Sequence, residues 1–426
     1  MAESTYDNPT FVSTGAEAKT GNKYVMNEDK SKTSSSHSKT FVAILALVII
    51  AVTALAITGI ILYSTTESND TVQDDCTNGC LIFEDTFDTF RFDVWQHEIT
   101  AGGGGNWEFQ YYTNNRSNSY VRDNVLYIKP TLTLDKFGQD ENSLYGGTLD
   151  LWGAYPANLC TGNAWGGCSR SGDGTNNVVN PIQSAKLRTV NSLSFTYGKV
   201  EIEAKMPTGD WIWPAIWMLP KYNEYGDWPA SGEIDIVEVR GNRNLTTPDG
   251  HSVGIDNMGA TMHWGPYYPY NGYDKTHGEK TLTSGTFGSD FHKYGIEWTE
   301  DNIRFFVDDE EILVADPGDD GFYKFGGWDE AIPDCDNPWA TSPNKMAPFD
   351  KEFYLILNVA VGGTNGYFWD GFINGGAPKP WSNTSPTGPK DFWEDKDNWY
   401  PTWNPDVNNG EDAAMQVKSV RVWRFK

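Results

Sequence analysis

The longest apolar stretch of the chain is Phe41–Tyr63, which reads FVAILALVIIAVTALAITGIILY and contains no charged residue. As a helix, these 23 residues would extend roughly 34 Å, enough to cross a hydrocarbon layer of about 30 Å. A cleaved signal peptide has a shorter apolar core behind a brief basic start, whereas this stretch follows forty polar residues. The pattern favours a transmembrane helix that serves as a signal anchor, and the sequence leaves open whether the anchor is cleaved.

The segments on either side of this helix differ in composition and charge. Residues 1–40 are rich in Ser, Thr, Asn and Lys without an apolar period, which predicts a disordered tail. Lysines precede the helix. Acidic residues follow it, and the first Lys or Arg after the helix is Arg91. By the positive-inside rule the tail is cytoplasmic. We predict a single-pass type II protein of the plasma membrane, with an extracellular stalk at 64–80 and one extracellular domain at 81–426.

Beyond residue 80 the hydrophobic pattern becomes that of β-strands. Apolar and charged residues alternate in KVEIEAK (199–205) and in SVRVW (419–423). YGIEW (294–298) is followed by IRFFVDDEEILV (303–314), in which the Asp-Asp pair indicates a hairpin turn. These segments predict an antiparallel β-structure.

One further strand and one loop region complete the pattern. FYLILNVAV (353–361) is almost continuously apolar, as expected for a strand buried on both faces. The Pro- and Gly-rich run from Gly362 to Pro405 predicts surface loops. Aromatic residues make up 14% of the chain, and 43 glycines suit a loop-rich β protein better than a helical bundle. The predicted fold class is therefore all-β.

Charge and cysteine content limit which classes of partner the chain can bind and indicate an oxidising compartment. A formal net charge of −26 repels phosphate backbones, so nucleic acid and anionic lipid are poor partners, whereas a neutral ligand is not excluded. The cysteines lack zinc-site spacing and follow the membrane segment, so disulfides are expected. Cys160 and Cys168 bracket a short Gly-rich loop and are the predicted pair, while the connectivity of Cys76, Cys80 and Cys335 stays open.

The segment GEIDIVEVRGN (232–242) carries three acids in a run that otherwise favours a strand. In a regular strand Glu233 and Asp235 share one face and Glu238 points to the other. A β-bulge near Ile236 or Val237 would return Glu238 to the first face. Three acids on one face raise one another's pKa, an arrangement that can hold one carboxyl ionised and another protonated. The alternative is an exposed acidic face with the aliphatic residues turned inward.

Aromatic residues surround this segment in sequence. Trp211, Trp213, Trp217 and Trp228 lie just upstream, and flat apolar faces of this kind suit pyranose rings, although each could equally be a core residue. His263 follows on the next predicted strand and could hydrogen-bond a hydroxyl group beside the acids, although a lone His is more often structural.

The motif E-I-D-I-V-E resembles the catalytic signature of glycoside hydrolase family 16, in the bulged form typical of its β-1,3-glucanases. The resemblance extends over nearly everything after residue 80, through GGGGNWEFQYYTNNRSNSYVRDNVLYIKP (102–130), WPAIWMLP (213–220), HWGP (263–266), FHKYGIEW (291–298) and FYLILNVAVGG (353–363). The chain is most similar to the animal branch of β-1,3-glucanases and glucan-recognition proteins.

This resemblance implies a jelly-roll β-sandwich with a concave substrate cleft and no required cofactor. Glu233 would be the nucleophile, Glu238 the general acid/base, and Asp235 would share a proton with Glu233. Trp217 would form a platform at the sugar that is cleaved, and the other residues expected to bind substrate are Trp213, Trp228, His263, Asn114, Arg116, Arg170 and Asn365. The implied activity is retaining hydrolysis of β-1,3-glucan, a neutral polysaccharide.

The resemblance and the sequence also point to three kinds of peripheral site. Many family members hold a structural calcium near the domain ends, where this chain has Glu84 and Asp412. N-glycosylation sequons occur at Asn69, Asn115, Asn244 and Asn383. The position of Asn244 usually holds a small residue or Pro in the family, so a glycan there could crowd the rim of the cleft. The sequence does not fix the oligomeric state.

Two other functions fit the same sequence. Some animal relatives have lost the carboxylates and act as β-1,3-glucan receptors, but this chain keeps all three acids, and a binding groove gains nothing from acids that repel each other. A transglycosylase, or a hydrolase of another β-glucan linkage, would share the acids and differ in the surrounding loops. A digestive, immune or remodelling role leaves no mark in the sequence.

Overall fold

The structure is a computed structural model that describes residues 79–136, 138–153 and 159–425. The predicted tail, the helix at 41–63 and the stalk up to residue 78 lie outside the described residues, so these assignments stay predictions. Among the helices that the structure does describe, none is long and apolar enough to cross a membrane.

The described residues are mainly β-strands joined by loops and short helices. In chain order, the strands are β1 (Cys80–Asp85), β2 (Gln96–Glu98), β3 (Gln110–Tyr112), β4 (Ser119–Arg122), β5 (Val125–Ile128), β6 (Thr131–Leu132), β7 (Thr148–Asp150), β8 (Ser169–Ser171), β9 (Ile182–Ser184), β10 (Lys186–Arg188), β11 (Gly198–Lys205), β12 (Ile212–Pro220), β13 (Glu233–Val239), β14 (Leu245–Thr246), β15 (Asn257–His263), β16 (His277–Thr281), β17 (His292–Trp298), β18 (Ile303–Val307), β19 (Glu310–Ala315), β20 (Phe353–Val361), β21 (Ile373–Asn374) and β22 (Met415–Arg424). The α-helices are α1 (Asn142–Gly146), α2 (Gly321–Gly326), α3 (Trp328–Ala331), α4 (Gly388–Glu394) and α5 (Lys396–Trp399). Short 3-10 helices occupy Gly103–Gly105, Thr133–Asp135, Ala164–Gly166, Tyr273–Lys275, Tyr400–Trp403 and Asn408–Ala413.

Two antiparallel sheets form a sandwich. The front sheet has the strand order β16-β15-β13-β12-β20-β10-β2, and the back sheet has the order β19-β18-β17-β11-β22-β5-β4, with β1 added beside β22. Side chains from both sheets meet in one apolar core, where the rings of Trp298 and Phe353 lie 5.5 Å apart. The all-β sandwich predicted from the sequence is confirmed.

Period-two patterning explains which face of the front sheet meets the core. Ile216 and Met218 of β12 and Ile234 of β13 are fully buried against the back sheet. The residues between them, including Trp217, Glu233 and Asp235, point to the opposite face. All nine residues of β20 are buried, as predicted from its unbroken apolar run. We call the face opposite the core the site face.

The predicted hairpin turns at the expected residues. β18 ends at Val307 and β19 begins at Glu310, which leaves Asp308 and Asp309 as a two-residue loop. Both residues have positive φ, 48° and 66°, as a type I′ turn requires, and Asp tolerates that region better than most residues.

The region from Gly362 to Pro405 differs from its prediction as surface loops. It contains α4 and α5, and it buries Trp381 and Trp399 almost completely. The indole N–H of Trp381 donates to Gly363 O at 2.8 Å, so the ring is fixed by a hydrogen bond as well as by packing. Glycine and proline content predicted loops, but the aromatic residues between them bring this region into the core.

Cysteine pairing and the sequons are partly described. The predicted disulfide between Cys160 and Cys168 is present, Cys80 is also disulfide-bonded, and Cys335 is a free thiol. Asn69 lies outside the described residues, and Asn115 and Asn244 are exposed.

Asn383 is the least suitable of the described sequons for glycosylation. It is half-buried, its Nδ2 donates to Phe368 O at 3.0 Å, and its Oδ1 accepts from Lys379 Nζ at 2.7 Å. A glycan on Nδ2 would compete with the bond from Nδ2 to Phe368 O.

Candidate active site

A β-bulge places the three acids of β13 on one face. Asp235 lies opposite Thr261 of β15, and Glu238 lies opposite Gly259, so three steps on β13 match two steps on β15. Ile236 is the extra residue, and both it and Val237 are buried. The bulge predicted from the odd spacing is therefore confirmed, and Glu238 joins Glu233 and Asp235 on the site face.

Glu233 is held from one side by a tryptophan. The indole N–H of Trp228 donates to Glu233 Oε2 at 2.9 Å, and Trp228 remains 40% exposed. His263 is the cross-strand neighbour of Glu233 on β15. One carboxylate oxygen of Glu233 is thus fixed, while Oε1 has no hydrogen bond within the described part of the chain.

Asp235 lies between the two glutamates and is buried. Burial, and then the neighbouring charge of Glu233, raise the pKa of Asp235 well above its usual range. His263 Nε2 lies 3.2 Å from Asp235 Oδ2, an ion-pair distance. Asn271 Nδ2 lies 2.8 Å from His263 Nδ1. Burial alone would lower the pKa of His263, but Asp235 and the charges of Glu233 and Glu238 raise it to about 9, so the ring carries a positive charge beside the acids near neutral pH.

Glu238 is held by a stack of three side chains. The indole N–H of Trp213 donates to Glu238 Oε1 at 2.8 Å. The ring of Tyr367 stacks on Trp213, with centroids 3.9 Å apart and an interplanar angle of 6°. The Arg240 guanidinium lies 4.0 Å from the centroid of Tyr367, and its Nε donates to Tyr367 O at 2.8 Å. This Arg240–Tyr367–Trp213 stack fixes the direction of the Glu238 carboxyl group.

The environment of Glu238 favours its protonated form. Desolvation raises the pKa of Glu238, and the charge of Glu233 adds to this effect. His263, the Trp213 hydrogen bond and the positive charge of Arg240 act in the opposite direction without cancelling it. A carboxyl group whose pKa is raised keeps its proton to higher pH than a free one, as a general acid requires.

Trp217 lies on β12 directly opposite Asp235 and is half-buried. Its indole N–H donates to Asn358 Oδ1 at 2.6 Å, Asn358 Nδ2 donates to Tyr112 OH at 3.0 Å, and Tyr112 donates to Glu108 Oε2 at 3.3 Å. The Lys186 ammonium lies 4.8 Å from the Trp217 ring centroid. The ring is therefore oriented by a continuous hydrogen-bonded chain beside the acids.

The remaining predicted contact residues are not all beside the acids. Arg116 is hydrogen-bonded to Asn114 and lies over Phe90 and Phe92, at 4.9 and 5.2 Å from their ring centroids. Phe90 stacks on His97, the middle residue of edge strand β2. The residues on either side of His97 point to the site face, so His97 points away from it. Asn114 and Arg116 are consequently not beside the acids, and their contact with sugar stays a prediction.

Arg170, on the short strand β8, and Asn365, on a loop, lie at the margin of the site. Arg170 Nε donates to Ala101 O at 3.3 Å, and Asn365 Nδ2 donates to Asn106 Oδ1 at 3.0 Å. Asn365 Oδ1 also accepts from the backbone N–H of Tyr367, the middle ring of the stack.

Sequence reasoning missed several residues that shape the site. Asn358, Lys186, Tyr367 and Asn271 each contact a predicted residue directly, and Arg240 lies over the ring of Tyr367. Only Asn358 left a signal: a single amide within the apolar run of β20 needs a buried hydrogen-bond partner. Lys186, Tyr367 and Asn271 lie on segments that the fold brings to the site, whereas Arg240 directly follows β13 but stacks on a residue from a distant loop.

The structure does not support the predicted calcium site. Glu84 accepts from Arg421 Nε at 2.7 Å, whereas Asp412 precedes the first residue of β22 and accepts from Asn404. Arg421 is six residues beyond Met415 on β22, roughly 20 Å along an extended strand, so Glu84 and Asp412 are too far apart to share an ion. Among the described residues, the one cluster with metal-ligand geometry is Glu233, Asp235 and His263. A cation there would bind the carboxylates of the candidate active site.

Comparisons with known proteins identify the family of the chain. A family model for glycosyl hydrolases family 16 matches residues 131–325. The β-1,3-glucan-binding protein of Penaeus monodon is 53% identical over 356 residues, which cover 83% of this chain and 93% of that protein. The chain belongs to glycoside hydrolase family 16.

Two further comparisons are informative. Glucan endo-1,3-beta-glucosidase A1 of Niallia circulans is 33% identical over 297 residues, which are 66% of this chain but only 34% of that protein. A solved structure described with endo-acting O-glycanases of the human gut microbiota is 20% identical with a TM-score of 0.50, and the match covers 82% of this chain and 92% of that one. The last comparison supports the sandwich fold alone.

Proposed function

We propose that this family 16 protein is a retaining endo-β-1,3-glucanase. The observation that carries the proposal is the bulge at Ile236, which brings Glu233, Asp235 and Glu238 to one face while separate tryptophans hold the two glutamates. Paired carboxyl groups in different environments are the requirement of glycoside hydrolysis.

In the first step, Glu233 attacks the anomeric carbon of the sugar on the Trp217 side of the site. The glycosidic C–O bond breaks, and Glu238 gives its proton to the departing oxygen. The products are a shortened glucan and a glycosyl ester on Glu233 with inverted configuration. Once Glu233 is esterified its charge is lost, so Glu238 can remain ionised.

In the second step, the ionised Glu238 removes a proton from water, and that water attacks the anomeric carbon. The ester bond to Glu233 breaks, the configuration inverts again, and the released sugar has the original β configuration. Asp235 keeps a proton available beside Glu233 because its own pKa is raised. No cofactor takes part in this scheme.

The competing function is a glucan receptor with little catalysis. Its support is that the Penaeus monodon relative is named a β-1,3-glucan-binding protein. Three closely spaced acids in a poorly solvated site weaken a structure that only binds neutral sugar, because like charges and desolvation both oppose their ionisation. We therefore favour the enzyme, with transglycosylation or another β-glucan linkage as variants of the same chemistry.

The test is incubation of the full chain with laminarin and with mixed-linkage β-glucan, followed by sizing of the products. Endo-hydrolysis yields a series of short β-1,3-linked oligosaccharides from laminarin. Glu238→Gln, with nearly the same shape but no acid, is the matched control for contaminating activity. Laminarin binding without release of oligosaccharides would favour the receptor, and products longer than the substrate would indicate transglycosylation.

The Arg240–Tyr367–Trp213 stack predicts a change in pH dependence. Trp213→Phe removes the hydrogen bond to Glu238 but keeps an aromatic ring for stacking on Tyr367. Because that bond lowers the pKa of Glu238, its loss raises the pKa, and the acid stays protonated to higher pH. The basic limb of kcat/KM is expected to move upward, and Arg240→Met should move it in the same direction because a nearby positive charge is lost.

A matched variant separates this effect from loss of packing. Tyr367→Phe keeps the stack, and the Tyr367 hydroxyl has no hydrogen-bond partner in the described part of the chain, so its profile should follow wild type. The other charged groups that face Glu238, namely Glu233, Asp235 and His263, are unchanged in all three variants. A basic limb that stays in place or moves downward in Trp213→Phe would contradict the assigned role of Trp213.

A further inference from the structure

Two exposed tryptophans lie side by side on loops at the margin of the site. Trp107 and Trp165 are 55% and 57% exposed, and their ring centroids are 5.9 Å apart with an angle of 53° between the planes. Both have left-handed backbones, with φ of 56° and 51°, which is unfavourable for bulky side chains. Such conformations persist where the surrounding structure holds them, and they concentrate at functional sites.

The loop of Trp107 is firmly held and connected to the site. Its neighbour Asn106 donates to Glu108 Oε1 at 3.1 Å and accepts from Asn365 at 3.0 Å. Glu108 is the end of the hydrogen-bonded chain that starts at Trp217, and Asn365 accepts from the backbone of Tyr367. Trp107 is therefore fixed relative to the acids from two directions.

The loop of Trp165 is fixed by a different set of bonds. The disulfide between Cys160 and Cys168 closes this loop, and the N–H of Ala101 donates to Gly167 O at 2.7 Å. Arg170 lies just beyond the disulfide, and its terminal nitrogens have no acceptor among the described residues. A rigid aromatic surface with guanidinium donors beside it suits a ligand that has apolar ring faces and hydroxyl edges.

We propose that Trp107 and Trp165, named here the tryptophan pair, form a distal subsite for a β-1,3-glucan chain that continues beyond the cleavage point. Sugar rings stack on the two indoles, and Arg170 donates to their hydroxyl groups. The inference rests on the proposed function, because it needs a glucan in the site, but it makes a separate claim about chain length. The occupant is the same glucan chain that crosses the acids, because the hydrogen bond between Asn106 and Asn365 connects the loop of Trp107 to the loop of Tyr367 at the acids.

The experiment measures kcat/KM and Kd of the full chain for laminari-oligosaccharides of increasing length and for laminarin. Asn replaces each tryptophan, singly and together, because Asn tolerates the left-handed backbone and keeps the loops in place. Trp423→Ala, which removes a tryptophan from β22 of the back sheet, is the control. For long chains, the double variant is expected to lose about tenfold in kcat/KM and affinity, and the shortest bound oligosaccharide should change less than about twofold.

The outcomes separate this inference from the proposed function. Wild type that binds and cleaves glucan, together with an unchanged length dependence in the double variant, would overturn the distal subsite alone. Equal losses for short and long chains would also overturn it, since they indicate general support of the site. Wild type that binds laminarin without cleaving it leaves the subsite measurable through Kd, and wild type that neither binds nor cleaves any glucan overturns both proposals.

Discussion

Alanine at Glu233 or at Glu238 is expected to remove nearly all glucan hydrolysis while the protein stays folded. Loss of either the nucleophile or the general acid should lower kcat by at least about a thousandfold. Both side chains face away from the core, and each removal relieves repulsion among the three acids. Thermal melting should therefore stay near that of wild type, and this comparison separates a chemical role from a structural one.

Azide distinguishes the two roles with an activated aryl β-glycoside of a laminari-oligosaccharide as substrate. In Glu233→Ala, azide takes the place of the nucleophile and attacks the anomeric carbon once, so the product is an α-glycosyl azide. In Glu238→Ala, the activated group leaves without an acid and the ester on Glu233 forms. Azide then attacks that ester in place of deprotonated water, which yields a β-glycosyl azide after two inversions. Identical anomers from both variants, or wild-type rates from either, would contradict the assigned roles.

The strand pattern and the acids could be predicted because their signals are local. β11, β17, β18, β20 and β22 each follow alternation or an unbroken apolar run that is visible within a few residues. The bulge is also local, because an odd number of steps between acids in one strand requires an extra residue for them to share a face. These features need no knowledge of distant contacts.

The supports of the site depend on contacts between distant segments, which no local pattern reveals. Trp213 is visible in the sequence, but its function depends on Tyr367 from a loop after β20 and on Arg240 at the end of β13. The tryptophan pair depends in the same way on a disulfide-closed loop lying against the glycine-rich turn before Trp107. Residue type suggested sugar stacking for Trp213 and gave no such indication for the tryptophan pair, and in both places only the fold supplies the partners.

Two predicted ligand contacts involve side chains that have internal partners in the structure. Arg116 was expected to contact sugar; its guanidinium lies over Phe90 and Phe92, and one of its terminal nitrogens is bonded to Asn114, so part of its donor capacity is used inside the protein and the sugar contact stays a prediction. Glu84 and Asp412 were expected to share a calcium ion, but Glu84 is paired with Arg421 far along β22. In each case an internal partner satisfies the charge that suggested an external ligand.

Trp217→Ala is expected to lower kcat/KM by about a hundredfold, because the sugar at the cleavage point loses the surface that positions its anomeric carbon against Glu233. The stability effect should be smaller than the about 3 to 5 kcal/mol that removal of a fully buried Trp costs, since this ring is half-exposed. Asn358 would lose its indole donor, but its bond to Tyr112 remains. Steady-state kinetics on laminarin and thermal melting measure the two effects separately.

Met218 provides the matched control, because it follows Trp217 on β12 and is fully buried on the core face. Met218→Ala should lower the free energy of unfolding by about 2 to 5 kcal/mol through the cavity it leaves, with little change in kcat/KM of the folded protein. Trp217→Phe keeps an aromatic face but loses the bond to Asn358, so it should recover most of the activity that alanine removes. If Trp217→Ala instead behaves like Met218→Ala, with lost stability and unchanged kinetics, Trp217 is a packing residue. We expect a kinetic loss at Trp217 and a stability loss at Met218, because successive residues of β12 point alternately to the site face and to the core.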